Sequence, residues 1–474
     1  MHNRPNILLI TTDQHRGDCL GLAGHPVVET PHLDALFQQG AWFPRAYSEV
    51  PSTTSARRTV ISGQHPERHG MVGYKDGVPF EVRHTLPGEL ARAGYHTQFV
   101  GNMHLHPHRK LFGFHHKVLH EGPRGVPGYV DDYNTWLAHT PWGAVAERDH
   151  GLDSNSWVAR PFHLPEWCHT TYWTVDRAIH FLDRKDPTQP FFLWISFVKP
   201  HAPLDSPEPY FRLYLDLDLP EPPIGDWAHI HHVETHGPDV NAWRAVLPRR
   251  VVHRAQAAYY GLITHIDHQL SRLFQHLRNL RLWEDTFVLM TSDHGEMLGD
   301  HYLYRKSYAY EGSARVPFLI RYARGMEDLK PGKIVDQVVE LTDVMPTLLD
   351  AAGVEVPETV DGRSVLPLLR GEAVHWRAYV HGEHSSCYNP ENAMQYLTDG
   401  KEKYLWFPVT GQEQLFNLVE DPQECRDLVR LPEAKDCVAK WRARLIRELA
   451  GRSDGLSDGK RLIRHKGPTS PLLP

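Results

Sequence analysis

Short apolar runs alternate with longer segments of helical periodicity along the chain. Five runs have the length of strands, and their near-continuous hydrophobicity is typical of a parallel sheet covered on both faces. These runs are residues 6–10 (NILLI), 97–100, 191–197 (FFLWISF), 286–290 (TFVLM) and 316–320. Residues 172–183 and 253–280 instead place apolar side chains every three or four positions, which predicts amphipathic helices. Strands that alternate with helices predict an α/β fold with crossover helices.

The pattern also predicts how the chain is divided. Residues 120–170 and 204–247 are rich in Pro, Trp, His and Asp without periodicity, and insertions of that length usually form lids or pocket walls. From residue 371 the pattern changes to short strands (394–397, 403–407 and 414–417) and one helix over 434–449. We therefore expect a catalytic domain over 1–370, a smaller α+β subdomain over 371–451 and an extended tail over 452–474.

Composition excludes several classes of protein. The 474 residues include 51 Lys and Arg against 58 Asp and Glu, a formal charge of −7 that argues against nucleic-acid or membrane-surface partners. The five Cys never form a CxxC pair, so neither a disulfide framework nor a thiolate zinc cluster is indicated. The apolar run near the amino terminus is shorter than a signal-peptide core, and no stretch approaches the roughly 20 apolar residues of a membrane span. A cytoplasmic protein is the resulting expectation.

Residues of the types that bind metal ions follow two of the predicted strands. Asp13 and Gln14 come just after the first strand, and Asp293, His294 and Gly295 follow strand 286–290. Ligands of α/β sheets collect at the carboxyl ends of strands, where glycine allows a tight turn. Two carboxylates, an amide and an imidazole suit Mn²⁺, Ca²⁺ or Zn²⁺. The alternative is a pair of unrelated capping turns.

A third segment offers a nucleophile. Residues 52–55 (STTS) carry four hydroxyl groups directly before Arg57 and a helical stretch, TVISG. A hydroxyl at a helix start, beside a cation and the positive end of the helix dipole, suits attack on an anionic ester. A helix N-cap rich in Ser and Thr is the alternative interpretation.

Together these segments resemble the sulfatase family of the alkaline phosphatase superfamily. The resemblance covers most of the chain and is carried by residues 6–47, by 291–321 (beginning TSDHGEMLGDH) and by 415–424 (LFNLVEDPQE). The Asp-Gln and Asp-His pairs are most similar to the branch of phosphonate monoester hydrolases and phosphodiesterases. The resemblance implies an alkaline-phosphatase-like fold, with a mixed, mostly parallel sheet flanked by helices and a smaller C-terminal α+β subdomain.

The nucleophile position departs from the family pattern. Family members carry Cys or Ser followed by x-Pro-x-Arg, and the first residue is oxidised to formylglycine. Alignment on Arg57 places Thr53 at this position and Ser55 in place of the Pro. Threonine carries a methyl group on its β-carbon, so its oxidation would give a ketone and not an aldehyde. We therefore expect no formylglycine and an unmodified Thr53 nucleophile, with the choice between Thr53 and Thr54 left open.

The remaining site residues are implied by the resemblance. One divalent ion would be held by Asp13, Gln14, Thr53, Asp293 and His294. A second set would act on the anion: Arg57, His104, Lys199, His201 and Lys306. Asn102 stands where the family usually has a Lys before the His104 position, which suggests an altered demand for charge. For Lys199 and Lys306 the alternative is a solvated surface lysine.

These observations favour a metal-dependent hydrolase of phosphate or phosphonate mono- or diesters that uses Thr53. A sulfuric ester hydrolase is the first alternative, and a catalytically silent relative that binds an anion is the second. The substrate is expected to be a small anionic ester, because the acidic surface is unsuited to a polyanion. The sequence leaves the leaving group, the metal and the oligomeric state open, although the resemblance is compatible with a homo-oligomer.

Overall fold

The computed structural model describes residues 4–122, 129–231 and 239–473. Its strands, in chain order, are β1 (Asn6–Asp13), β2 (Gly40–Trp42), β3 (Ala46–Tyr47), β4 (His96–Gly101), β5 (His116–Leu119), β6 (Phe191–Pro200), β7 (Thr286–Ser292), β8 (Phe318–Arg321), β9 (Lys333–Ile334), β10 (Val339–Glu340), β11 (Val380–His384), β12 (Met394–Thr398), β13 (Glu402–Trp406) and β14 (Glu413–Asn417).

The α-helices, in chain order, are α1 (Pro31–Gln38), α2 (Thr53–Ser62), α3 (Pro66–His69), α4 (Leu86–Arg92), α5 (Asp132–Ala138), α6 (Thr170–Leu182), α7 (Glu208–Leu215), α8 (Arg249–Asn279), α9 (Glu311–Ala314), α10 (Val344–Ala351), α11 (Leu366–Arg370) and α12 (Lys435–Glu448). Within the described residues, none of these helices combines the length and apolar character needed to cross a membrane.

The main sheet has eight strands in the order β5-β4-β6-β1-β7-β8-β2-β9. Its central strands are parallel, whereas β8 pairs antiparallel with both β7 and β2. Helices cover both faces, so β1 is buried along its whole length. Ile7 and Leu9 face one core, and Leu8 and Ile10 face the other. This two-sided burial is the physical reason for the continuous apolar run in the sequence.

A separate antiparallel sheet, in the order β11-β12-β13-β14, follows the main sheet in the chain. Helix α12 packs on it through Val438, Trp441 and Leu445. The tail then returns across both units. His465 bonds to Pro408 beside β13, and Leu472 forms a bridge with Met71 beside α2.

The five predicted strands of the main sheet are confirmed as β1, β4, β6, β7 and β8, and the long predicted helices as α6 and α8. The predicted stripe of α8 ends earlier than expected, because Leu280 is its C-cap and is 38% exposed. The short strands β2, β5 and β9 were not predicted. Helix α7 was also missed because it lies inside the segment 204–247, where Pro and polar residues hide its short periodic pattern.

Candidate active site

The two predicted ligand motifs meet at one edge of the main sheet. β1 and β7 are paired in parallel register through Thr12 and Ser292, so the next residues emerge side by side. Ligand atoms of Asp13, Asp293 and His294 all lie within 4.8 Å of one another, and the three residues are buried. Strand pairing has therefore brought together side chains that are 280 positions apart in the sequence.

The cluster has the chemistry of a metal site. His294 Nδ1 donates to the Gly295 carbonyl at 2.9 Å, which leaves the Nε2 lone pair facing Asp13 Oδ1 at 3.6 Å. Burial lowers the pKa of His294 to about 4, so the imidazole is neutral near pH 7, as a ligand must be. Asp293 Oδ2 is buried without a hydrogen-bond partner. Two buried carboxylates and a neutral imidazole fit a divalent ion.

Gln14 is held beside the cluster by its neighbours. Its backbone is left-handed (φ 74°) and its amide N–H donates to Asp293 Oδ1 at 3.0 Å. Its side-chain oxygen accepts from Lys306 at 3.1 Å, and its side-chain nitrogen donates to Glu296. Gln14 thus lies where the sequence predicted it, with its side chain already engaged by a cation and an acid.

Thr53 is the hydroxyl residue that points at the cluster. It is the first residue of α2, and its Oγ1 lies 3.1 Å from His294 Nε2 and 3.4 Å from Asp13 Oδ1. Thr54 is equally buried, but its Oγ1 has no hydrogen-bond partner. Ser52 occupies the N-cap without making a side-chain capping bond, so the capping interpretation explains none of these hydroxyls. The geometry distinguishes Thr53 from its neighbour.

Arg57 lies one turn along α2 and is only 1% exposed. Its Nη1 donates to Thr11 Oγ1 at 2.7 Å and to Ser196 Oγ at 2.6 Å. Its Nη2 is 3.5 Å from Asp293 Oδ2. These contacts fix the guanidinium against β1 and β6, next to Asp293 of the cluster.

The predicted cationic side chains differ in whether they contact the cluster. Lys306 Nζ lies 2.5 Å from His201 Nε2, and the His201 backbone N–H donates to the Asp13 carbonyl at 3.0 Å. Lys199 is buried too, but its ammonium bonds to Asp205 and to the Pro203 carbonyl. The structure therefore connects Lys306 and His201 to the cluster and pairs Lys199 with an acid.

His104 reaches the cluster through Asn102. Asn102 Nδ2 donates to Asp13 Oδ2 at 3.1 Å, and its Oδ1 contacts His104 Nδ1. Glu121 accepts the His104 backbone N–H at 2.8 Å and lies 3.4 Å from the imidazole. Burial alone would raise the pKa of Glu121, but His104 and His108 lower it to about 2.

Sequence reasoning missed Glu121 and Asp205. Asp205 lies six residues after Lys199, a local signal that was available from the sequence. Glu121 had no such signal, because its contact with His104 depends on the pairing of β4 with β5. Gly295 was expected to permit a tight turn; instead the reason for glycine is space, since an added Cβ would lie 2.1 Å from the Gly312 carbonyl oxygen.

Several other histidines and an acid make contacts with partners outside the cluster. His15 bonds to the Cys19 carbonyl, His65 to Glu340 and His231 to Tyr310. His232, the residue after His231, lies outside the described residues. Asp300 pairs with Arg16 at 2.7 Å.

Comparison with known proteins agrees with this fold. The sulfatase family model matches residues 5–354, and the model of the C-terminal region of N-sulphoglucosamine sulphohydrolase matches residues 299–450. The chain therefore belongs to the sulfatase family and is a hydrolase with the alkaline-phosphatase-like α/β fold. The expected resemblance to this family is confirmed.

Individual relatives have different activities. An arylsulfatase of Clostridium perfringens is 44% identical over 97% of this chain and 98% of its own length. A multifunctional alkaline phosphatase superfamily protein of Trinickia caryophylli is 29% identical, over 90% of this chain and 92% of its own. The phosphonate monoester hydrolase of Agrobacterium radiobacter superimposes with a TM-score of 0.79 at 26% identity, covering 98% of this chain and 99% of its own.

Proposed function

We propose that the chain is a metal-dependent hydrolase of small sulfate esters and that Thr53 is the nucleophile. The observation that carries this proposal is the buried cluster of Asp13, Asp293 and His294 with the Thr53 hydroxyl facing it. The 44% identity to an arylsulfatase over nearly the whole chain supports the sulfate-ester alternative better than the phosphate or phosphonate interpretation that the sequence favoured.

Each residue has a distinct role in this proposal. Asp13, Asp293 and His294, with Gln14 beside them, would hold one divalent ion, whose chemistry is to lower the pKa of a hydroxyl and polarise an ester oxygen. Mn²⁺, Ca²⁺ and Zn²⁺ all suit these donors.

The remaining residues act on the ester and the nucleophile. Arg57 restrains the start of α2 and offsets negative charge next to Thr53. Lys306 and His201 bind the anionic oxygens of the ester, and His104 donates a hydrogen bond to it. Lys199 contributes through its pair with Asp205.

Thr53 makes a second candidate function worth testing. An unmodified hydroxyl forms a covalent ester with the transferred group, and water must then break that ester by attack at sulfur or phosphorus. Phosphate and phosphonate esters suit such a two-step route, and the high structural similarity to a phosphonate monoester hydrolase favours them. We therefore keep a phosphoric or phosphonic ester hydrolase as the second candidate.

One panel of substrates tests both candidates. The purified protein is assayed with 4-nitrophenyl sulfate, bis(4-nitrophenyl) phosphate and 4-nitrophenyl phenylphosphonate, each with Mn²⁺, Ca²⁺, Zn²⁺ or a chelator. Metal-dependent release from the sulfate that is lost in Thr53→Val supports the main proposal. Release from the phosphorus esters alone supports the second candidate. Tight binding of sulfate without turnover identifies the catalytically silent relative. Mass spectrometry of the peptide containing Thr53 checks that the residue is unmodified.

A further inference from the structure

A buried ion pair lies beside the candidate active site. Lys199 and Asp205 are 3% and 2% exposed, and the Lys199 ammonium bonds to Asp205 Oδ1. Pro200, the residue after Lys199, is paired with Asp13 across β6 and β1. The pair therefore lies at the end of β6 that is paired with Asp13, one of the candidate metal ligands.

This pair is electrically neutral as a unit. Burial alone would raise the pKa of Asp205, but the Lys199 ammonium holds it well below its usual range. His169 Nε2 lies 3.9 Å from Asp205 Oδ1, and burial lowers the pKa of His169, so this ring adds no charge near pH 7. His150 also interacts electrostatically with Lys199 and Asp205, and burial lowers its pKa. Asp205 therefore cancels the charge that Lys199 would otherwise bring to an anion.

Cationic side chains other than Lys199 contact the cluster or its neighbour Gln14 directly. Asn102, which bonds directly to Asp13, is a neutral amide. In the described part of the chain, Arg57 Nη2 lies 3.5 Å from Asp293 Oδ2, and Lys306 donates to the side-chain oxygen of Gln14. A divalent ion would match the two carboxylates of Asp13 and Asp293, so the positive charge offered to the ester would come from Arg57 and Lys306, and an unpaired Lys199 would add to it.

We propose that Asp205 is a specificity-determining residue that neutralises Lys199 and thereby selects singly charged esters over doubly charged ones. This inference rests on the proposed function and, across its two candidates, restricts the substrates to esters with one negative charge: sulfate monoesters, phosphonate monoesters and phosphodiesters. A phosphate monoester carries nearly two charges above pH 7 and is disfavoured. One unit charge acting over about 10 Å at an effective dielectric constant near 20 changes such a preference roughly tenfold.

Three variants test the charge argument. Asp205→Asn leaves the positive charge of Lys199 unpaired, and Lys199→Gln leaves the negative charge of Asp205 unpaired. The double variant is neutral again. The measured quantity is the ratio of kcat/KM for 4-nitrophenyl phosphate to kcat/KM for 4-nitrophenyl sulfate at about pH 8.5, where the phosphate is a dianion. We expect roughly a tenfold rise in this ratio for Asp205→Asn, a similar fall for Lys199→Gln and a wild-type ratio for the double variant.

A merely structural pair would give a different result. Loss of a structural pair lowers both rates together, so the ratio would not move in opposite directions in the two single variants. An unchanged ratio, or a change of the same sign in both, overturns the proposal. If Asp205→Asn does not fold, the fall in Lys199→Gln and its reversal in the double variant still decide the matter.

Anion binding separates this inference from the proposed function. Thermal stabilisation by phosphate and by perchlorate is measured at about pH 8.5 for the metal-loaded and metal-free protein, which compares a dianion with a monoanion without any turnover. If the wild type hydrolyses no ester, the proposed function fails, but the phosphate-to-perchlorate preference must still follow the charge of the three variants. If esters are hydrolysed and the preference ignores the charge, the present inference alone fails.

Discussion

Thr53→Val removes one hydroxyl from the candidate site with almost no change in side-chain volume. The lost contacts are long, at 3.1 Å to His294 Nε2 and 3.4 Å to Asp13 Oδ1. Hydrogen bonds of this kind contribute about 1 kcal/mol or less, so the free energy of unfolding should change little. Loss of a nucleophile, by contrast, lowers kcat by roughly 10³-fold or more.

Thr54→Val is the matched control. Thr54 is the next residue of the same helix and is equally buried, but its hydroxyl has no partner. Removal of an unpaired buried hydroxyl is expected to leave stability unchanged or to raise it by about 1 kcal/mol. Turnover should stay near the wild-type value, because no bond to the cluster is lost.

The two variants are compared by release of 4-nitrophenol from the ester that the wild type hydrolyses, and by urea unfolding monitored by tryptophan fluorescence. A folded Thr53→Val protein with wild-type kcat refutes the assignment of Thr53 as nucleophile. Loss of activity in Thr54→Val alone would transfer that role to Thr54.

Three further predictions concern stability. Removal of metal by a chelator should lower Tm, and re-addition of Mn²⁺, Ca²⁺ or Zn²⁺ should restore it. The physical reason is that an ion present at about 100 times its Kd stabilises the fold by about 2.7 kcal/mol. A Tm that does not change with any of the three ions contradicts the metal site. Gly295→Ala should destabilise the protein by roughly 2 kcal/mol, measured by urea unfolding, because its Cβ would overlap the Gly312 carbonyl oxygen; an unchanged midpoint would show that the turn has room. His120 is buried, and although burial opposes its charged form, Glu147 and Asp131 raise its pKa from 6.5 to about 10. The stabilising contribution of His120 is therefore complete below pH 6.5 and is lost as the pH rises toward 10. This loss should be absent in His120→Gln when the free energies of unfolding are compared between about pH 6.5 and about pH 9.5.

Much of the fold could be predicted because its signals are local. The run at 6–10 is apolar at every position since β1 is buried on both faces, and α8 carries a regular stripe since one side packs on the sheet. The strands β2 and β9 have only three and two residues. Such short segments carry too little periodicity to be distinguished from loops.

The candidate site shows the same division. Asp13 and Asp293 could be predicted as neighbours because parallel strands deliver their carboxyl-end residues to one edge. The bond from Asn102 to Asp13 could not, because the two residues are 89 positions apart and meet only through the packing of the folded chain.

The sequence by itself determined the family and the central strands, and it predicted the candidate metal ligands and Thr53 as a candidate nucleophile, because each of these depends on residue type and local spacing. Only the tertiary structure decided that the Thr53 hydroxyl, and not that of Thr54, faces the cluster, and that Asp205 cancels the charge of Lys199. Thr53 meets Asp13 across 40 residues and His294 across 241. Which atoms meet over such separations depends on helix rotation, strand register and burial, and these are properties of the packed chain.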